Sequence, residues 1–222
     1  MRHGRHTARD GEAMKYHTMR AEHTRGMIMA VAERLFAERG VFAVSNRQIS
    51  EAAGQGNNAA VGYHFGTKTD LIRAIVREHS GAMDEIRRPL LARHDGSGQV
   101  RDWVVCTVSP ITRHLATLAA PSWYARFAAQ LMTDPTLRAV VIDDVLDSPT
   151  IRQAIDGLNR CLPDLPAQVR TDRKDMVRTM VVHMCAEHER ALADGTGAGW
   201  DETATSLIDA IVGLLLAPVT RD

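Results

Sequence analysis

Residues 45–68, SNRQISEAAGQGNNAAVGYHFGTK, hold two short helix signals on either side of a glycine, and no other stretch restricts the fold so tightly. Ser45 and Gln48 have the Ser-x-x-Gln spacing of a capping box, which starts a helix at Asn46. Ile49, Ala52 and Ala53 give that helix a small apolar stripe, and Gly54 stands where a left-handed residue ends a helix at little cost. Gln55-Gly56-Asn57 is turn chemistry. A second short helix then carries Val61 and Phe65 on one face, and Thr67 with Asp70 makes a box-like cap for the next. Two helices of about two turns, joined by a tight Gly-containing connection, form the helix-turn-helix pattern, whose second helix enters the DNA major groove.

The sidedness of the second helix agrees. With Val61 and Phe65 inward, Asn58, Ala59, Gly62 and Tyr63 lie outward or at the flank. Asn pairs with adenine, Ala touches a thymine methyl, and Gly lets the backbone approach closely. Tyr63, His64 and Lys68 suit phosphate, and the start of the following helix adds unpaired N–H groups. An ordinary helical hairpin with a polar outer face has the same spacing, so spacing alone leaves both readings open.

Three further strings are more specific: LFAERG at 35–40, Ile-x-x-Ala-Ala-Gly at 49–54, and Tyr-His-Phe-x-x-Lys-x-x-Leu at 63–71. Through them the segment 24–75 resembles the DNA-binding domain of the TetR family of bacterial transcriptional regulators. The resemblance implies three helices, a fourth leading into a larger helical domain, and binding of DNA as a dimer. By position it implies phosphate contacts at Ser45, Tyr63 and Lys68, base-facing Arg47, Gln48, Asn58 and Ala59, and a backbone-proximal His64. One position departs: Gly62 stands where the family commonly has an aromatic before Tyr-His-Phe. A stacking or phosphate-reaching side chain is missing there, and a mid-helix Gly costs about 1 kcal/mol relative to Ala.

Charge is distributed to match. The formal net charge is zero, yet residues 1–78 carry 12 Lys/Arg against 8 Asp/Glu, and residues 79–222 carry 15 against 19. A basic first third beside an acidic remainder fits one nucleic-acid surface and one that avoids it. Cys106, Cys161 and Cys185 are odd in number and widely spaced, which indicates neither a zinc site nor a disulfide framework. Buried thiols and a redox sensor are the two readings left for them. The histidines are too scattered for a metal site, and no cofactor motif occurs. No apolar leader opens the chain, and the apolar run 208–219 contains Asp209 and is too short to span a bilayer. The expected location is the cytoplasm, away from any membrane.

Taken in order, residues 1–23 have Arg2, Arg5, Arg9, Lys15 and Arg20 but no apolar periodicity, which predicts a flexible basic arm. Such an arm can enter a minor groove; a leader without a role reads the same way. The DNA-binding domain is predicted over 24–78, with a first helix from Thr24 and with Phe42 and Val44 as core plugs. A fourth helix runs to about Arg87 before Pro89. The all-α effector-binding and dimerisation domain is predicted over 79–222. A helix from Val100 is interrupted at Pro110, freeing a carbonyl near Cys106 that needs another partner. Pro121-Ser122 starts a short helix, and Asp134-Pro135 and Ser148-Pro149 are strong start signals for two more. Helices near 169–193 and 202–217 end the chain.

Large aromatics with Met and His line adaptable ligand cavities. On that ground Trp103, His114, Trp123, Tyr124, Phe127, Met180, His183 and Met184 are candidates for a small-molecule effector site, although plain core packing explains each of them. The last helix is apolar on more than one side and calls for cover, from a second copy or from the centre of its own monomer. The resemblance implies dimerisation through the last two helices, which gives a homodimer interface at Met176, Leu207, Ile208, Ile211, Val212 and Leu215. The function expected is a dimeric regulator, a repressor released from a palindromic operator by a small molecule. A small helical enzyme is the rival. The chain holds no Gly-rich strand-to-helix loop, no His-Glu-x-x-His and no Gly-x-Ser-x-Gly, and a solvated helix face accounts for Glu187-His188-Glu189. A helical interaction module without DNA binding would leave the basic first third unexplained.

Overall fold

The computed structural model of the chain describes the backbone of residues 4–57 and 59–219 and, from residue 16 on, their side chains other than that of residue 17. Among these residues ten helices follow one another and no strand occurs. They are α1 (Gly4–Arg39), α2 (Asn46–Ala52), α3 (Ala60–Phe65), α4 (Lys68–Arg93), α5 (Val100–Thr117), α6 (Tyr124–Thr133), α7 (Pro135–Leu146), α8 (Pro149–Cys161), α9 (Ala167–Ala193) and α10 (Trp200–Leu216). The chain divides into two units, Met1–Ala74 and Ile75–Asp222. The division falls inside α4, a few residues before the boundary that the sequence suggested.

In the first unit Ile28, Ala32, Leu35 and Phe36 of α1 supply one buried stripe, and Ile49, Val61, Phe65, Leu71 and Ile72 complete the core. Two expectations change here. The first helix begins at Gly4, not Thr24, so the part of the expected flexible arm from residue 4 to 23 is helical. Apolar periodicity reports which side of a helix is buried, and the described side chains between Tyr16 and His23 are all exposed. Once the packed stripe has formed the helix, adding Ala, Met, Glu and Arg residues costs well under 1 kcal/mol each, with no new nucleus needed. Phe42 is not a core plug: it is 74% exposed, and Val41 beside it is buried with Val44. Both are apolar, and only the turn that follows α1 decides which one points inward.

In the second unit both internal prolines are accommodated without ending a helix. α4 continues through Pro89 to Arg93, and α5 continues through Pro110 to Thr117. The carbonyl that Pro110 leaves without its helical N–H is that of Cys106, and the buried Arg87 Nε donates to it at 3.2 Å. Asp84 anchors the same guanidinium at 2.5 Å while accepting the hydroxyls of Ser148 and Thr150 at the start of α8. Burial pulls the Arg87 pKa down, and the Asp84 carboxylate opposes that.

The local start signals hold. Asp134 accepts the N–H groups of Thr136 and Leu137 ahead of α7, Ser148 accepts that of Ile151 ahead of α8, and each is followed by Pro. The start of α6, at Tyr124, is capped from a distance. Glu189 of α9 accepts the Ala125 N–H at 3.2 Å, the Arg126 N–H at 2.9 Å and the Ser122 hydroxyl at 2.9 Å. The expected solvated face at 187–189 is therefore wrong for Glu189, which is 1% exposed, whereas Glu187 pairs with Arg190 at the surface. Three consecutive helical residues point about 100° apart and cannot share one face.

α10 packs on α5 and α9. Leu207, Ile208, Ile211 and Leu215 are already buried in the single chain, Ile211 to 1% exposure, and Val212 is half-buried. Those four have almost no surface left exposed in the single chain. Met176 is 51% exposed, as are Met184 and Leu216 to 50% and 49%.

The Trp103 indole, packed with Leu90, Leu91, Cys106 and Ala154, lies flat on Gly157 of α8. A Cβ on Gly157 would sit 2.2 Å from a ring carbon. Overpacking of about 1–3 kcal/mol then outweighs the roughly 1 kcal/mol that Ala gains in helix propensity. Gly157→Ala is expected to lower the urea midpoint of unfolding; an unchanged midpoint would mean that the ring moves aside at no cost.

Candidate nucleic-acid interface

α2 begins where its capping box places it. Ser45 Oγ accepts the Gln48 N–H at 3.2 Å, and Gln48 Oε1 accepts the Ser45 N–H at 2.8 Å. The Gln48 carbonyl is therefore engaged in the cap, which leaves its amide N–H2 for a base edge. Arg47 is exposed and pairs with Glu51 at 2.7 Å, a contact within one helix that water screens and an incoming phosphate or base could replace. Gly54, at φ 67°, ends α2 in the left-handed region.

Asn57 opens α3 with an Asx turn, its Oδ1 accepting the Ala59 N–H at 2.9 Å. Asn58 lies outside the described residues. Val61 is 0% and Phe65 9% exposed, so the inward face is the one their spacing predicted. Opposite them Ala59, Gly62 and Tyr63 are exposed, Tyr63 to 85%. A Cβ built on Gly62 meets nothing within 4 Å, so the outer face of α3 is open there. His64 is half-buried with its ring edge-on to Tyr63 at 5.1 Å. At the start of α4 Thr67 and Asp70 exchange hydrogen bonds, Thr67 Oγ1 to Asp70 Oδ2 at 2.6 Å and Asp70 N to Thr67 Oγ1 at 3.1 Å.

Lys68 is held differently from the expectation. Its Nζ donates to the carbonyls of Val44 at 2.5 Å and Val41 at 3.2 Å, tying α4 to the turn after α1, and burial lowers its pKa. Spacing shows that a lysine is near the surface but not which carbonyl it reaches, because those partners lie about 25 residues away.

The effector candidates fall into separate places. His114 and Tyr124 meet at a residue that the sequence did not single out, His79 of α4, and Phe127 lies against Tyr124. His79 Nδ1 and His114 Nε2 are 2.7 Å apart, and the His79 ring stacks on Tyr124 at 3.7 Å. Trp103 belongs to the α5–α8 core, and Trp123 stacks under Arg126 at 4.2 Å. Met180 is half-buried, while His183 and Met184 are exposed and so do not line the interior as expected. Among the described residues no group of three or more His, Cys, Asp or Glu side chains could hold a metal ion, and no helix is long and apolar enough to cross a membrane.

Residues 28–75 match the family described as bacterial regulatory proteins, tetR family, and residues 105–217 match the tetracyclin repressor-like C-terminal domain. The chain belongs to the TetR family. It is accordingly a DNA-binding transcription regulator, with α1 to α3 and the start of α4 as its DNA-binding domain. Solved TetR-like structures include a TetR family transcriptional regulator, PfmR, from Thermus thermophilus, at 16% identity and a TM-score of 0.49 over 83% of this chain and 96% of that one. A gamma-butyrolactone receptor, an ArpA-like protein, matches at 23% identity and a TM-score of 0.32 over 88% of this chain and 83% of that one. No curated protein sequence matches the chain.

Two outcomes follow from this geometry. Lys68→Met is expected to destabilise the first unit by about 1–3 kcal/mol, since a charged donor leaves two carbonyls. Loss of DNA affinity with unchanged unfolding would instead mark the ammonium as a phosphate contact. For His114, burial and then the neighbouring His79 lower the pKa from 6.5 to about 4. The unfolded chain takes up that proton below about pH 6.5 and the folded chain only below about 4, so stability is full above this window and falls as pH drops through it. The loss is at most about 3 kcal/mol. His114→Gln is expected to remove most of this slope between pH 4 and 7 in denaturant titrations.

Proposed function

We propose that the protein is a repressor that binds a palindromic operator as a homodimer and is released from it by a small-molecule effector. The observation that carries this reading is the sidedness of α3: Val61 and Phe65 are buried while Ala59, Gly62 and Tyr63 face outward. On this reading Ala59, with Asn58 and Gln48, meets base edges. Gly62 lets the α3 backbone approach the duplex, Arg47 exchanges Glu51 for DNA, and Ser45, Tyr63 and His64 lie along the phosphates. Two copies would present their α3 helices to successive major grooves, about 34–36 Å apart.

The second copy would cover α9 and α10. Three large apolar side chains there, Met176, Met184 and Leu216, are about half exposed in the single chain, and covering them removes apolar surface from water. The effector is proposed to act on the interior around His114, Tyr124 and Phe127, because His79 ties that cluster to α4 and α4 begins in the DNA-binding domain. An effector with 100-fold preference for the non-binding form supplies about 2.7 kcal/mol, enough to empty a marginal site. The cytoplasm, where the operator is, would be the place of action.

Selection of bound duplexes from random DNA, followed by titration against salt, tests the reading. A selected palindrome bound with a steep fall of log affinity against log salt is expected. Binding without sequence preference counts against it. By light scattering, Met176→Glu with Met184→Glu is expected to give folded monomers, whereas Leu207→Glu unfolds the second unit. A dimeric mass for the double variant would move the interface elsewhere.

A further inference from the structure

We propose that Arg25 is a positioning residue that sets the rotation of the recognition helix α3 about its own axis. Arg25 lies on α1 just before the residues that match the family domain, and none of the motifs in 24–75 includes it. Its Nη1 donates to the His64 carbonyl at 2.7 Å, and its guanidinium carbon stands 4.1 Å above the centre of the Phe65 ring. The two contacts grip adjacent residues at the C-terminal end of α3.

That end needs holding. α3 has six residues, too few to be stable alone, and its last carbonyls have no helical partner beyond the Gly66 N–H, which reaches Gly62. A cation at a helix C-terminus meets the negative end of the peptide dipoles, and over an aromatic face it gains a second attraction. Turning α3 by about 20° would stretch the carbonyl contact by up to about 0.7 Å and slide the ring by roughly 2 Å from under the guanidinium. The same turn moves a side-chain tip about 5 Å from the axis by roughly 2 Å, far beyond the tolerance of a base-edge hydrogen bond. Arg25 therefore governs which of the outward residues of α3 face a groove without itself touching a base. It also gives a role to the turn of α1 that precedes Ile28.

The inference rests on the proposal that α3 reads DNA, and the experiment separates the two. The full-length parent, Arg25→Met, Arg25→Lys and Asn58→Ala are titrated across salt with a duplex selected by the parent and with a random duplex of equal length. Arg25→Met is expected to lower the selected-to-random affinity ratio about tenfold or more, with the salt slope on random DNA unchanged. Arg25→Lys, which keeps a cation, is expected to recover part of the ratio. Partial unfolding would scale both affinities down together and leave the ratio intact, so a merely structural role does not mimic the effect. If Arg25→Met keeps the ratio while Asn58→Ala loses it, Arg25 does not position α3. A salt slope reduced by about one per protomer also overturns the proposal, because Arg25 would then be a phosphate contact. If Asn58→Ala keeps the ratio, the base-contact assignment fails, and the Arg25→Met ratio still decides the positioning role.

Discussion

A helix of six residues cannot stay formed on its own hydrogen bonds, so the outer surface of α3 depends on the burial of Val61 and Phe65. Burial of these two side chains fixes which way α3 faces, and the outward residues follow from that. The capping box of α2 and the left-handed Gly54 bring the chain to α3 from one side. Gly66, at φ 83°, and the reciprocal cap between Thr67 and Asp70 take it away on the other. The outward residues on α3 are thus placed by caps and turns on both sides of the helix as well as by its buried pair.

A second regularity runs through both units: cations meet backbone carbonyls where a helical partner is lacking. Lys68 reaches Val41 and Val44, Arg87 reaches the Cys106 carbonyl opposite Pro110, and the buried Arg173 reaches Leu215 and Ala217 at the end of α10. An orphan carbonyl buried without a donor is costly, and a charged donor compensates more than a neutral one. Arg87 lets α5 keep its helix through a proline, while Asp84 balances the guanidinium charge. The same device appears with opposite sign in Glu189, whose carboxylate closes the N–H end of α6.

The His79–His114 pair and the Tyr124 ring show how the interior of the second unit differs from a plain apolar core. Two imidazoles in hydrogen-bond contact require one nitrogen to donate and the other to accept. A second proton would break that arrangement. Polar groups packed this closely are sensitive to anything that changes their number of partners.

Helix starts were legible in the sequence because caps act over three or four residues: Ser45, Asp134 and Ser148 each close the helix that their spacing announces. The inward pair on α3 was legible for the same reason, being one turn apart. Periodicity failed where burial and helicity part company. α1 extends to Gly4 with no buried stripe to report it, and α10, apolar on several sides, turned most of that surface into its own unit. Sequence by itself determined the class of fold, the order of helices and the inward face of α3, since each depends on neighbours along the chain. Only tertiary structure decided that Lys68, Arg87 and Glu189 serve backbone groups, that His79 joins His114, and that Phe42 rather than Val41 is outside. Those outcomes depend on partners far away in sequence or on how a turn closes, and no local pattern encodes either.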